Sequence, residues 1–177
     1  MTSKNIILIP ARLESSRLKR KLLLNIADKS ILQHTYESSL NSKMSLKTII
    51  LVDSIELFTH CKTFTDDVLM TSKKHKNGTE RIYEYVKSSE TNFNIVNMQA
   101  DEPFTDHKLI DAIFKQLMDG NEIVTAVYEI SDNIIDPNRV KVVLDKNDFA
   151  LYFSRHEIPY NFSKKNKSKK NIHIGVY

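Results

Sequence analysis

The chain has 177 residues, 41% of them hydrophobic and 27% charged, with a formal net charge of +4. Those values fit one globular domain with a substantial core, and the lone cysteine, Cys61, excludes an internal disulfide and suits a reducing compartment. The early residues lack the apolar stretch of a secretory signal and no later run could span a bilayer, so a cytoplasmic protein with no membrane partner is expected.

Ile6-Ile7-Leu8-Ile9 is an apolar run of strand length that gives way after Pro10 to a polar loop bearing Arg12, Arg17, Lys19, Arg20 and Lys21. In open α/β sheets ligands bind beyond the carboxyl ends of strands, and clustered guanidinium and ammonium groups there suit a polyphosphate. A solvated basic loop has the same composition, so both readings stand at this point. Ser30 can cap a helix reaching to about residue 41, with Ile31, Leu32, Tyr36 and Leu40 at helical spacing. Residues 47–52 read as a second strand, 55–61 as a short helix and 68–70 as a brief third strand.

The polar loop over 71–77 leads through Gly78 and Thr79 into a helix ending near residue 88. The free backbone donors of a helix N-terminus could hold an anion or a base edge, and a simply capped helix is the alternative. Residues 94–99 form the next predicted strand, with Asp101 and Glu102 at its carboxyl end. Adjacent carboxylates there suit a hard cation such as Mg²⁺ shared with substrate phosphates, against the competing reading of a second helix cap. A helix over 106–118 stops at Gly120, a left-handed C-cap, and 122–130 is an extended run.

The alternation of strand and helix then stops. Residues 139–144 and 150–154 read as strands joined through Lys146-Asn147-Asp148 as a hairpin, which predicts a mixed late sheet. Lys164, Lys165, Lys167, Lys169 and Lys170 repel one another and read as a solvated loop; no aromatic residues interleave them, which argues against nucleic acid as a partner. A last strand is expected over 172–177.

Four motifs in this order resemble the 3-deoxy-manno-octulosonate (Kdo) cytidylyltransferases, or CMP-Kdo synthetases. Pro10-Ala11-Arg12, Ser15, Arg17-Leu18, Lys21 and Leu23 match the family's basic loop. His75-Lys76-Asn77-Gly78-Thr79-Glu80-Arg81 and Asn97-Met98-Gln99-Ala100-Asp101-Glu102-Pro103 resemble its next two blocks. The fourth block is similar over 136–145, Ala150-Leu151-Tyr152-Phe153-Ser154-Arg155 and Ile158-Pro159-Tyr160, and His173-Ile174-Gly175-Val176-Tyr177 resembles the strand that follows it.

The resemblance implies an α/β, three-layer, Rossmann-like nucleotide-diphospho-sugar transferase fold with a mostly parallel, partly mixed sheet and a β-hairpin extension. It implies a single domain over 1–177 that is incomplete at the C-terminus, with a hairpin at 136–160 in the family's dimer-forming part and hence a homodimer. The implied reaction joins CTP and Kdo into CMP-Kdo and pyrophosphate for lipopolysaccharide assembly. Ala11, Arg12, Ser15, Arg17 and Lys21 would hold the triphosphate, and Asp101 a Mg²⁺ ion, with Arg12, Lys21 and Asp101 the catalytic set. Asn77, Gly78, Thr79 and Gln99 would read cytosine and ribose, and Arg155, His173 and Tyr177 the sugar acid. A sialic-acid-type cytidylyltransferase and a degenerate CTP-binding homologue are the alternatives.

Some positions depart from the family pattern. Lys19-Arg20 replace a Pro-Gly pair, which is expected to reshape the phosphate loop, because proline and glycine set a defined turn. Ala100 replaces a glycine, so strain is expected there if that position needs positive φ. Family members continue past the Gly-x-Tyr strand, and that part carries a second metal-binding aspartate.

Overall fold

In the computed structural model, residues 3–14, 18–131, 136–158, 160 and 169–177 are described. The chain folds as two compact units, one of residues 1–124 with 176–177 and one of residues 125–175. The predicted hairpin at 136–160 falls in the second.

The first unit is built on a parallel sheet of β1 (Lys4–Ala11), β4 (Lys47–Val52), β5 (Val68–Met70) and β6 (Phe93–Asn97), in the order β5-β4-β1-β6. Residues 6–11 of β1 are buried without alternation, as a central strand covered on both faces requires. One face presents Ile6, Leu8, Ile49 and Leu51 to Ile82 and to the half-buried Tyr85 and Val86 of helix α3 (Gly78–Val86). Helix α1 (Ile31–Ser39) lies on the other face, where the Ser39 hydroxyl donates to Thr48 Oγ1 at 3.0 Å. Helix α4 (His107–Met118) packs beside α1, and α2 (Ile55–Cys61) links β4 to β5. The result is helix, sheet and helix in three layers.

Each helix starts at a polar cap. Ser30 accepts from Gln33 N at 3.1 Å, Ser54 from Leu57 N at 3.2 Å, Asn77 from Glu80 N at 2.9 Å and Asp106 from Lys108 N at 2.9 Å. A cap of this kind contributes about 1 kcal/mol and fixes where the helix begins. Gly120 has φ +97, the left-handed stop expected of it.

The second unit is an antiparallel sheet of β7 (Ala126–Ile130), β8 (Lys141–Leu144), β9 (Ala150–Ser154) and β10 (Lys170–Ile174), ordered β7-β10-β8-β9. The strands expected over 139–144 and 150–154 do form a hairpin, the first beginning only at Lys141, with Asp148 at φ 64 in the turn. These strands make a sheet of their own. The mixed character of the parallel sheet comes instead from an antiparallel bridge between Met98 and Val176, flanked by two main-chain hydrogen bonds joining Asn97 and Tyr177.

Further sequence expectations shift: the strand expected over 94–99 runs Phe93–Asn97, and the helix expected to end near residue 88 ends at Val86. The last strand begins and ends earlier than 172–177, and the extended run at 122–130 is a strand only from Ala126. Lys170 is not part of a solvated tract: it opens β10, is buried, and its ammonium meets the Glu157 carboxylate. Lys169 does lie at the surface, 2.9 Å from Glu129, while Lys164, Lys165 and Lys167 fall outside the described residues. A lysine-rich composition cannot distinguish a strand-opening lysine with a carboxylate partner, such as Lys170, from an exposed one, such as Lys169.

Between β1 and α1 the chain makes a 3-10 turn, Lys21–Leu23, and a small ribbon of β2 (Asn25–Ile26) and β3 (Lys29–Ser30). Arg20, at the family's glycine position, has φ 53 and ψ 31, so the left-handed turn survives the loss of glycine. Among the described residues the non-glycine positions with positive φ are Arg20, Ala27 and Asp148, and Ala100 is not one of them, so the strain considered for Ala100 does not arise. Holding a non-glycine residue in the left-handed region costs about 1–2 kcal/mol. Arg20 recovers part of that through an exposed ion pair with Glu56 at 3.1 Å, an arrangement worth at most about 1 kcal/mol. Arg20→Gly is therefore expected to stabilise the protein by up to about 1 kcal/mol, raising the thermal midpoint by roughly 2–4 °C. A lowered midpoint in a differential scanning measurement would contradict this.

Candidate nucleotide site at the switch point

The strand order β5-β4-β1-β6 means that the chain builds outward from β1 to β4 and β5, then returns to place β6 on the other side of β1. The loops leaving β1 and β6 consequently diverge, opening a crevice at their carboxyl ends, where such sheets take ligands. Residues 12–14 leave β1 and residues 98–103 leave β6, so topology alone brings the start of the basic loop to the acidic one.

Side-chain geometry closes the same circle. A Cβ added to Gly78 would stand 2.9 Å from Pro10 Cγ and 3.8 Å from Gln99 Nε2, so the end of β1, the start of α3 and the segment after β6 meet at one point. Lys21 Nζ lies 2.5 Å from Asp101 Oδ2, both side chains being about one-third exposed or slightly more. The ammonium expected on a phosphate and the carboxylate expected on a metal are thus neighbours across the crevice. Ala11 is buried at the end of β1, and Arg12 beyond it is exposed. Ser15 and Arg17 lie outside the described residues.

Two residues that composition did not single out hold this loop. Asp53, just past β4, accepts from the Leu13 amide at 3.0 Å through Oδ1, while its Oδ2 faces Arg81 Nη2 at 3.4 Å. Arg81 is 3% exposed and also donates to Ser72 O at 3.2 Å and to the Thr71 hydroxyl. Burial pushes its guanidinium pKa down, opposed by the charges of Asp53 and Glu84. Asp53 therefore ties the start of the basic loop to helix α3. Its place at a strand's carboxyl end beside β1 was the available sequence signal.

At the start of α3, Asn77 Oδ1 is committed to the Glu80 amide and Nδ2 lies 3.4 Å from Glu80 Oε1. Glu80 Oε2 accepts from the Lys76 amide at 2.8 Å, a variant of the capping box. Asn77 thus acts as the helix cap, the alternative reading for this loop. Thr79 Oγ1 lies 3.0 Å from the Tyr177 hydroxyl, which brings Tyr177 to the mouth of α3. Upstream, His75 bonds Glu84, whose pKa is held down first by His75 and then by the Ser72 amide. Asn97 is 4% exposed, and neither polar atom of its side chain has a partner among the described residues.

In the second unit, Arg155 Nη1 donates to Pro137 O at 3.0 Å. His173 Nε2 lies 2.8 Å from Thr125 Oγ1, and its ring meets the edge of Phe153 at 5.5 Å between centroids. Burial lowers the pKa of His173, and also that of His60, which bonds Ser30 Oγ at 2.7 Å. A histidine that resists protonation when folded binds more protons when unfolded, so stability is full above about pH 6.5 and falls as pH drops below it, through the lowered folded values. The thermal midpoint is expected to fall between about pH 7.5 and about pH 5.5, and less so in a His60→Gln, His173→Gln double variant; an equal fall in both would contradict the assignment.

Of the residues expected at the site, Ala11, Arg12, Lys21, Asn77, Gly78, Thr79, Gln99, Asp101 and Tyr177 lie in the first unit, where Gly78 approaches Gln99, Lys21 pairs with Asp101 and Thr79 meets Tyr177. Arg155 and His173 belong to the second.

The family profile described as cytidylyltransferase matches residues 6–177. The 3-deoxy-manno-octulosonate cytidylyltransferase of Thermodesulfovibrio yellowstonii is 37% identical over 97% of this chain and 73% of its own length. That of Rhodopirellula baltica is 43% identical over 89% of this chain and 64% of its own. Among solved structures, CMP:2-keto-3-deoxy-manno-octonic acid synthetase complexed with CTP matches with a TM-score of 0.86 at 32% identity, over 98% of this chain and 73% of that one. A 4-diphosphocytidyl-2C-methyl-D-erythritol synthase, at 13% identity and a TM-score of 0.59, shares the fold alone. With the profile covering nearly all of its length and relatives of this identity on both sides, the chain belongs to the 3-deoxy-manno-octulosonate cytidylyltransferase family.

Proposed function

We propose that the protein transfers CMP from CTP to the anomeric hydroxyl of a 3-deoxy-manno-octulosonate-type sugar acid, releasing pyrophosphate and activating the sugar for lipopolysaccharide assembly. The observation that carries this reading is the meeting of Pro10, Gly78 and Gln99 at the switch point beside the Lys21–Asp101 pair. It is supported by the 32% identity to a synthetase solved with CTP.

In this reading Arg12 and Lys21, with Ser15 and Arg17, bind the triphosphate at the end of β1. Their charge favours the electrons that accumulate on the departing pyrophosphate as the sugar oxygen attacks the α-phosphorus in line. Because Asn77 Oδ1 is taken by its helix, recognition of base and ribose falls to the Gly78 and Thr79 amides and the Gln99 amide. Arg155, His173 and Tyr177 take the sugar acid; a guanidinium can meet its carboxylate with two parallel hydrogen bonds.

Asp101 offers a hard, half-exposed oxygen, and no group of three or more His, Cys, Asp or Glu able to hold a metal occurs among the described residues. Such a donor set suits Mg²⁺, which takes one or two carboxylates together with substrate phosphates, better than a cation held in an all-protein cage. When bound, the ion would neutralise phosphate charge, and Asp101 would be its protein ligand.

The partners in this reading are CTP, the sugar acid and a second copy of the chain, without nucleic acid. The edge strand β9 supports a homodimer: Leu151 is 66% exposed and Tyr152 59%, an apolar edge of the kind that pairs with another strand. No helix among the described residues is long and apolar enough to cross a membrane.

A pyrophosphate-release assay with CTP and Mg²⁺ discriminates the readings. Release with Kdo supports the proposal. Release with sialic acid alone favours the neighbouring class, and CTP-binding heat without release under either acceptor favours a non-catalytic homologue.

A further inference from the structure

Two lysines of the second unit are buried where hydrophobic side chains would be easier to accommodate. Lys141 in β8 is 2% exposed and Lys170 in β10 is 3% exposed. Lys141 pairs in register with Ile172 and with Ser154, and Lys170 lies two residues from Ile172, so both ammonium groups leave the same face of the sheet. They converge on the segment that follows β9. Lys141 Nζ donates to Arg155 O at 3.0 Å and to Asp136 O at 2.7 Å, and Lys170 Nζ binds the Glu157 carboxylate.

The segment is fastened at further points. Arg155 Nη1 donates to Pro137 O at 3.0 Å, and the His156 amide donates to Ser154 Oγ at 3.0 Å. The turn that supplies Pro137 is itself closed by the Asn138 amide on Asp136 Oδ1 at 2.8 Å. Lys141 therefore bridges both strands of chain that define the Arg155 guanidinium: it holds the main chain of Arg155 on one side and the residue before Pro137 on the other. Desolvating an ammonium to bond two main-chain carbonyls is a poor way to gain stability, since an apolar residue of similar volume usually serves as well or better. Its return is geometric. An ammonium with fixed donors makes two carbonyls keep one separation, and a guanidinium recognises a carboxylate only in a defined plane.

We propose that Lys141 is a positioning residue for Arg155, with the Lys170–Glu157 pair anchoring the far end of the same segment, so that the guanidinium is presented preorganised to an anionic substrate group. The role rests on the reading of Arg155 as the sugar-acid carboxylate partner. It predicts that loss of the Lys141 ammonium acts through Arg155 alone.

The test is a double-mutant cycle on the full chain, using KM for Kdo and for CTP and the side-chain Nε–H resonance of Arg155. Lys141→Met is expected to raise KM for Kdo about tenfold, to leave KM for CTP within about twofold, and to broaden or average the Arg155 resonance. Lys141→Arg, which keeps charge and donors, is expected to restore part of the loss. In an Arg155→Ala background, Lys141→Met is expected to add less than about twofold. Glu157→Gln, which loosens the segment without touching Lys141, is expected to raise KM for Kdo about threefold and keeps the proposal testable if Lys141→Met does not fold. Should Arg155→Ala raise KM for Kdo while Lys141→Met adds its full effect of about tenfold on top, the positioning role is overturned and the sugar-acid reading survives. An unchanged KM for Kdo in Arg155→Ala overturns that reading, and the proposal with it. Unchanged kinetics and an unchanged Arg155 resonance in a folded Lys141→Met, or unchanged KM for Kdo in Glu157→Gln when that is the variant available, overturn the proposal alone.

Discussion

Asp101→Asn is expected to lower the rate of pyrophosphate release by about 10²–10³-fold while leaving CTP affinity without Mg²⁺ within about threefold of the parent. Asp101 stands at the carboxyl end of β6, on one side of the switch point, and its only close partner among the described ion pairs is Lys21 at 2.5 Å. Removing the carboxylate has two opposed consequences. The protein loses its hard oxygen for a cation shared with the triphosphate, and Lys21 is released from an ion pair and left free to meet phosphate. The first acts on the rate and its Mg²⁺ dependence; the second acts on nucleotide binding and partly offsets any loss there. Steady-state rates across a Mg²⁺ titration, with calorimetry of CTP in the absence of the metal, separate the two. A variant retaining more than about a third of the parent rate would contradict the role of Asp101.

Gly78→Val is expected to weaken CTP binding by at least about tenfold and to destabilise the fold by about 1–3 kcal/mol. A Cβ there stands 2.9 Å from Pro10 Cγ and 3.3 Å from Pro10 Cβ, closer than packed carbon atoms tolerate. Pro10 cannot retreat, because its residue is held in β1 opposite Leu51. The N-terminus of α3 must move instead, taking with it the Gly78 and Thr79 amides and the contact with Gln99. Gly120→Ala is the matched control. It meets no neighbour within 4 Å but inherits φ +97, so it is expected to cost stability of about 1 kcal/mol and leave CTP affinity unchanged. Equal CTP affinity in Gly78→Val and the parent would show that the close approach at Pro10 is packing alone.

Much of the fold was legible because local chemistry marks it. β4, α2, β5 and β9 have the predicted bounds, since each is a short apolar or amphipathic run closed by residues such as Ser54 and Asp148 whose backbone preferences are strong. What could not be read is what depends on partners far away in sequence. Nothing in β7 to β10 says that they pair only with one another, because strand pattern specifies a face and not a neighbour. Lys170 looked like the exposed Lys169 beside it because Glu157, thirteen residues earlier, is what draws it inward.

The site divides the same way. Its residue types were readable from the motifs, and the topology that brings the two loops together follows from the tendency of open α/β sheets to take ligands where the strand order reverses. The network from Leu13 through Asp53 to Arg81 joins the ends of β1 and β4 to α3, and only the place of Asp53 at a strand's carboxyl end hinted at it, whereas the cap made by Asn77 is one of the two readings its loop left open. Replacement of a Pro-Gly pair by Lys19-Arg20 suggested a reshaped loop, yet Arg20 takes the left-handed conformation that glycine would have taken. Sequence registers the strain of such a substitution but not whether the surrounding chain enforces the turn.

Cytidylyl transfer can be followed in a single mixture of the protein, CTP, Kdo and Mg²⁺ by phosphorus NMR. Cytidylyl transfer predicts that the CTP resonances decline together as one sugar phosphodiester resonance and one pyrophosphate resonance grow in equal molar amount, only when Kdo is present. CTP resonances that persist unchanged with Kdo and Mg²⁺ present, or that give CMP and pyrophosphate without a sugar phosphodiester, would contradict it.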